Sequence, residues 1–107
     1  MTRDTLPADF YERLSPKKNA LFEVLLDAEG EWMRGVDIRQ RMRDDHGLSV
    51  PDHPGAIAIH LSHYTQWYSE EFRRDLIPGR WEDNSQVHAE FRLGEMYEDE
   101  LTDWFDK

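Results

Sequence analysis

Histidine is the side chain in this sequence best suited to chemistry, because four of the five histidines precede residue 64 in one short stretch. His60 and His63 lie three residues apart on a predicted helix, so their rings could share a metal ion. A further ligand would have to come from Asp52 or His53, and the carboxylate of an HExxH zinc site is missing. We therefore predict no metal and no cofactor, with His60 half-buried beside the core and His63 exposed.

Nothing in the spacing of the remaining residues indicates an enzyme. The sequence contains no cysteine, which excludes thiolate nucleophiles, disulfides and Cys-ligated zinc. Its six glycines are scattered at predicted helix ends and turns, so they form no phosphate-binding loop. The many carboxylates lie on predicted solvent faces, where raised pKa values are not expected. We predict no catalytic residues.

Arginine forms the second group of side chains that could bind a ligand. Arg34, Arg39 and Arg43 belong to one stretch, and Arg39 and Arg43 share a helix face on which their guanidinium groups could bind phosphates. The alternative is a solvated face whose arginines pair with nearby acids. Four more arginines surround a predicted hairpin and could extend the phosphate contacts: Arg73, Arg74, Arg80 and Arg92.

The net charge limits the class of partner. The 107 residues carry a formal charge of −10, and most of this net negative charge falls in the second half of the chain. Such a surface repels a polyanion at long range, which opposes indiscriminate nucleic-acid binding. No apolar run approaches the ~18 residues of a membrane helix, and the N-terminus lacks the apolar region of a secretory signal. We expect a cytoplasmic protein with no membrane partner.

Capping residues predict the first two long helices. Ser15 can cap a helix over residues 16–29 that has Pro16 in its first turn. A short extended link then leads to a second helix, which opens at Gly35 and closes at Gly47. The Arg39 and Arg43 side chains lie on this second helix.

The stretch PDHPGAIAIHLSHYTQWYSEEF, residues 51–72, predicts one central helix with two usable faces. Its apolar stripe at helical spacing consists of Ile57, Leu61, Tyr64, Tyr68 and Phe72. The residues that point elsewhere, and could contact a partner, are Ile59, Ser62, His63 and Gln66. A helix that buries one face and offers the other is a candidate recognition helix.

The segment after the central helix predicts a hairpin and a last helix. The sequence IPG at residues 77–79 breaks the helix, RWE is typical of a strand, and DNS of a turn. Residues 86–93 alternate between polar and apolar side chains, as a half-buried strand does. The apolar side of this strand comprises Val87, Ala89, Phe91 and Leu93.

This order of elements resembles the winged helix-turn-helix superfamily. LFEVLLDAEGEWMRGVDIRQRMRDDHG is similar to its first two helices and intervening β-stub, PGAIAIHLSHYTQWYSEE to its recognition helix, and RWEDNSQVHAEFRL to its wing. The resemblance, which extends to small actinobacterial proteins of this fold, covers residues 15–93. It implies an α+β, mostly helical fold: a winged helix-turn-helix with a C-terminal β-hairpin wing and extra terminal helices. Residues 1–14 would be an arm and short helix, and residues 94–107 an acidic helix.

Because many members bind DNA, the resemblance implies a small transcriptional regulator that contacts double-stranded DNA. Its third helix would lie in the major groove and its arginines on phosphates. Ile59, Ser62, His63 and Gln66 would face the bases, since the central helix contains no Lys or Arg. The alternative is an acidic protein-interaction module of the same fold, for example a DNA mimic. The clustered arginines favour the regulator, and the excess of acids favours the alternative.

Apolar residues in the two terminal helices predict a homodimer. An open patch of this size is rare on a monomer, and two-fold pairing would set two recognition helices about 34 Å apart, one DNA turn. The alternative is that both terminal helices fold back onto the core of a monomer. The predicted dimer patch comprises Phe10, Leu14, Tyr97, Leu101, Trp104 and Phe105.

Overall fold

A computed structural model describes residues 5–51, 55–80 and 89–106 as an α+β structure that is mostly helical, as predicted. None of the described helices is long and apolar enough to cross a bilayer. The predicted turn at residues 83–85, Val87, Asp52 and His53 lie outside the described residues. In chain order the elements are a 3-10 helix (Tyr11–Arg13), α1 (Pro16–Asp27), β1 (Met33–Arg34), α2 (Gly35–His46), α3 (Gly55–Trp67), α4 (Glu70–Leu76), β2 (Gly79–Arg80), β3 (Glu90–Phe91) and α5 (Glu95–Trp104).

The first two helices begin where their capping residues predict. Ser15 Oγ accepts a hydrogen bond from the backbone N–H of Lys18 at 3.2 Å, and Pro16 is the first residue of α1. This bond satisfies one of the free N–H groups of the first turn. At the end of α2, Gly47 has a φ of 64°, a left-handed conformation that glycine adopts without steric penalty. The first predicted helix ends early, at Asp27.

The prediction of one continuous central helix over residues 51–72 is wrong, because the chain breaks between α3 and α4. Ser69 is extended, and its Oγ accepts a hydrogen bond from the N–H of Phe72 at 3.0 Å. Two acids in the first turn of α4, Glu70 and Glu71, suit the positive end of the helix dipole. Tyr68 and Phe72 still pack against the core, so the apolar stripe continues across the break.

The sheet is antiparallel and has the strand order β1-β3-β2. Arg34 and Arg80 pair with Glu90 from opposite sides, so these three side chains share one face of the sheet. The other face turns towards the core, which confirms the predicted alternation at its described positions. The buried residues there are Ala89, Phe91 and Leu93.

The segment around Phe10 and helix α5 both pack over one core. Phe10 is fully buried, and its ring stacks on Tyr64 with 5.5 Å between the centroids. Glu100 of α5 accepts hydrogen bonds from the Tyr11 hydroxyl at 2.7 Å and from the Leu6 N–H at 3.0 Å. These bonds hold the N-terminal segment against the last helix.

The prediction of an open apolar patch on the terminal helices is therefore wrong for most of the residues assigned to it. Phe10, Tyr97 and Leu101 are buried within this chain, and Leu14 and Phe105 are half-buried against its core. Trp104 is 54% exposed, and its ring stacks on Tyr11 with 4.0 Å between centroids. The contacts favour the alternative, in which both terminal segments complete the core of a monomer.

Candidate functional site

One face of α3 is left uncovered by the described residues. Ile59 is 53% exposed, Ser62 and Gln66 are exposed, and His63 is half-buried. The opposite face of the helix packs in the core through Ile57, Leu61 and Tyr64. The four residues predicted to contact bases thus share one accessible face, and this face has no acidic or basic side chain apart from the His63 ring.

The arginines of α2 are less accessible than the sequence suggests. Arg39 is only 8% exposed and lies beside Gly35, so its guanidinium cannot reach a phosphate, and that part of the prediction is wrong. The Nη1 of Arg43 donates a hydrogen bond to the Val50 carbonyl at 3.2 Å, which holds the loop after α2. Arg34, at the start of the helix, is exposed.

Three of the predicted arginines lie on the face of the sheet that turns away from the core, and two of them contact an aromatic ring that sequence analysis missed. The guanidinium carbons of Arg80 and Arg92 lie 4.3 Å and 5.1 Å from the centroid of Trp32. The Nε of Arg80 also donates to Glu90 Oε1 at 2.9 Å. Arg34 lies in the same cross-strand row. We call these five residues the sheet patch; three arginines and one carboxylate give it a positive sum of charges. Arg92 also lines a groove with four acids outside the patch: Glu29, Glu95, Glu98 and Asp99.

The two remaining predicted arginines lie on α4. Arg74 forms an exposed ion pair with Glu70 at 2.9 Å, and such pairs contribute only about 0–1 kcal/mol. Arg73 is half-buried, and burial lowers the pKa of its guanidinium. The structure therefore does not group these two side chains with the row of arginines on the sheet.

Lys18, on the inner side of α1, is a buried cation that sequence analysis did not single out. It is 3% exposed, and its Nζ lies 3.0 Å from His60 Nδ1 and 2.8 Å from His63 Nδ1. The ring centroids of Tyr64 and Trp67 are 5.9 Å and 5.1 Å from the same Nζ. Among the described residues, no carboxylate forms an ion pair with Lys18.

Lys18 determines which ring nitrogen carries the proton in His60 and in His63. An ammonium group can only donate, so each Nδ1 accepts and each ring carries its proton on Nε2. Burial, reinforced by the charge of Lys18, lowers the pKa of His60 to about 4, and the same two causes lower the pKa of His63. Burial also lowers the pKa of Lys18. Across the described chain, no three acidic or histidine side chains gather as metal ligands.

A cavity of about 290 Å³ lies beside this cluster, between α1, α2 and α3. Met42, Val50 and Ile59 contribute apolar wall. Among the described lining residues, the polar side chains are those of Lys17, His60 and His63. His60 is buried more deeply than the half-buried position predicted for it, and His63 is half-buried rather than exposed.

The chain therefore presents an uncharged helix face, a positive sheet patch and a buried lysine-histidine cluster with its cavity. The helix face can contact bases or a partner protein, the sheet patch can contact phosphates, and the cavity can bind a small molecule. No protein-family model, curated protein or solved structure matches this chain, so its function has to be inferred from these three features.

Proposed function

We propose that this protein is a small DNA-binding regulator with a winged helix-turn-helix fold. The observation that carries the proposal is the uncovered face of α3, which a helix in the major groove requires. Ser62 and Gln66 on that face can hydrogen-bond to base edges, and Ile59 can contact a thymine methyl group.

The arrangement of elements supports the winged-helix part of the proposal. A helix, a short strand, three helices and two further strands follow one another, which is the order of that superfamily with one additional short helix, α4, before the wing. In this assignment α2 and α3 form the helix-turn-helix, and β2 and β3 form the base of the wing. β1 closes the sheet on the other side of β3.

The sheet patch supplies the phosphate contacts in this proposal, in place of Arg39. Arg80 and Arg92 are held against Trp32, so their guanidinium groups lose less side-chain freedom on binding a phosphate than free arginines would. Arg34 is exposed in the adjacent strand. The net charge of −10 opposes binding elsewhere on the surface, so affinity depends on this small positive area.

Duplex selection followed by fluorescence anisotropy at two salt concentrations tests the proposal. Arg34→Ala and Arg80→Ala should weaken binding to every duplex, and each should reduce the slope of log K against log salt by about 0.9. Gln66→Ala should instead alter the preferred sequence. Arg41→Ala is the matched control, because this arginine lies outside the sheet patch, on α2, and is paired with two acids, Asp27 and Asp45. Failure to enrich any duplex at low salt would reject the regulator.

A second candidate is a protein-interaction module of the same fold. The observation that favours it is the uncharged, partly apolar face of α3, where Ile59 is 53% exposed. Exposed aliphatic side chains are more typical of a protein contact than of a phosphate contact. If selection enriches no duplex, this candidate replaces the regulator.

Homodimer formation also stays a prediction. With Phe10, Tyr97 and Leu101 inside the core, pairing through α5 would have to use its exposed Met96 and Trp104. Two such side chains offer little apolar area for a stable interface. Light scattering at high micromolar concentration tests this prediction, and a monomer would end it.

A further inference from the structure

We propose that the cavity beside Lys18 binds a small organic monocarboxylate with an apolar body. The proposal does not depend on DNA binding, because it rests on the side chains that line the cavity and on the buried cation next to it. It assigns a role to a cluster that the proposed DNA contacts leave unexplained.

Lys18 determines which ring nitrogens of His60 and His63 can donate a hydrogen bond to the anionic end of the ligand. Since Nδ1 of His60 and of His63 each face its Nζ at 3.0 Å and 2.8 Å, the ring N–H that remains to donate is at Nε2 in both cases. Both rings line the cavity, and so does Lys17. A carboxylate in the cavity would therefore have two neutral rings and one ammonium group as neighbours, and each of these groups carries an N–H that can donate.

The charge of Lys18 makes an anion the expected occupant. A buried ammonium is normally paired, since its desolvation is unfavourable without a counter-charge. Its hydrogen bonds to two neutral rings satisfy donors but supply no negative charge, and no carboxylate of the described residues pairs with it. Positive ligands would be repelled by both Lys17 and Lys18.

The remaining walls define the other end of the ligand. Met42, Val50 and Ile59 offer no hydrogen-bonding side chain, so they suit a hydrocarbon body and disfavour inorganic phosphate or a dicarboxylate. The volume of about 290 Å³ is at the small end of the range for ligand sites. An acid with one aromatic ring or a short alkyl chain fits this description.

Calorimetric titration of the full chain with benzoate at pH 7, in the absence of DNA, tests the proposal. The expected Kd is on the order of 1 mM, as the small size of the acid implies. Benzamide, which has the same shape without the charge, should bind at least about tenfold more weakly. Equal binding of the two compounds, or no binding of benzoate up to ~20 mM, would overturn the proposal. Neither result would bear on DNA binding.

Two substitutions and a control identify the site. His63→Phe removes one donor and should weaken benzoate binding at least about tenfold. Lys17→Met should also weaken benzoate binding. Because Lys17 is exposed, this variant keeps the test usable if His63→Phe does not fold. Thr65→Ala, on the same helix but not lining the cavity, should bind as the unaltered protein does. Ring ¹⁵N shifts should report the Nε2–H tautomer for both histidines. Nδ1–H tautomers, or unchanged affinity in both lining variants, would contradict the assignment.

Discussion

Acid should destabilise this fold through His60. Burial lowers the pKa of the ring to about 4 from its ordinary value of 6.5, which the unfolded chain retains. The unfolded chain therefore binds the proton more readily, and protonation favours unfolding. The stabilisation is fully present above pH 6.5 and is lost as the pH falls towards 4. His63, whose pKa is also lowered, acts in the same direction.

The magnitude follows from the two pKa values. Between pH 7 and pH 4.5, a ring with a pKa of about 4 when folded and 6.5 when unfolded loses about 2 kcal/mol of stabilising free energy. Because solvent near the cavity screens part of the charge, this is an upper value. A typical domain is stable by only about 5–15 kcal/mol, so the loss is measurable.

Urea denaturation at pH 7 and at pH 4.5 measures this loss of stability. With a slope of about 1–3 kcal/mol per molar urea, the His60 contribution should shift the midpoint by about 1 M. His60→Gln can still accept a hydrogen bond from Lys18, and its stability should change less with pH than that of the unaltered protein. His46→Gln controls for the loss of a histidine outside the cluster. The same pH dependence in His60→Gln as in the unaltered protein would refute the burial argument.

Four further substitutions test the fold, each by urea denaturation at pH 7. Gly94→Ala should destabilise the protein by about 3 kcal/mol or more, because a Cβ there would overlap the Asp75 carbonyl oxygen. Gly47→Ala should cost only about 1–2 kcal/mol of stability, because the position has free space and only its positive φ is unfavourable for alanine. Ser69→Ala removes the cap of α4 and should lose about 1 kcal/mol. Leu101→Ala should lose about 2–5 kcal/mol if α5 belongs to the core, and a loss near zero would contradict that placement.

The sequence predicted those features that a few neighbouring residues determine. Ser15 and Pro16 begin α1, and Gly47 ends α2, because the hydrogen bonds and backbone angles of a cap depend on local chemistry. The alternation that buries Phe91 and Leu93 is likewise local, since successive side chains of a strand point to opposite faces. The mostly helical α+β class followed from these signals.

Features that depend on distant contacts could not be predicted. Lys18 is separated from His60 and His63 by 42 and 45 positions, and lysine is almost never fully buried unless paired, so no pattern around it marks it out. Arg39 lies on a helix face that looks solvated until the sheet packs beside it. The break at Ser69 was present in the sequence as a serine followed by two acids, but an unbroken apolar stripe concealed it.

His63 belongs to both of the surfaces on which the functional proposals rest. It lies on the uncovered face of α3 and also lines the cavity, with Nδ1 hydrogen-bonded to Lys18. A carboxylate that accepts the Nε2–H of this ring withdraws that donor from any contact with DNA. The two ligands must then oppose each other, and linkage requires each to weaken the binding of the other by the same factor. Ile59, which also lines the cavity and is exposed on α3, extends the overlap. The cavity is thus placed where an acid could regulate the proposed DNA contacts without moving the core.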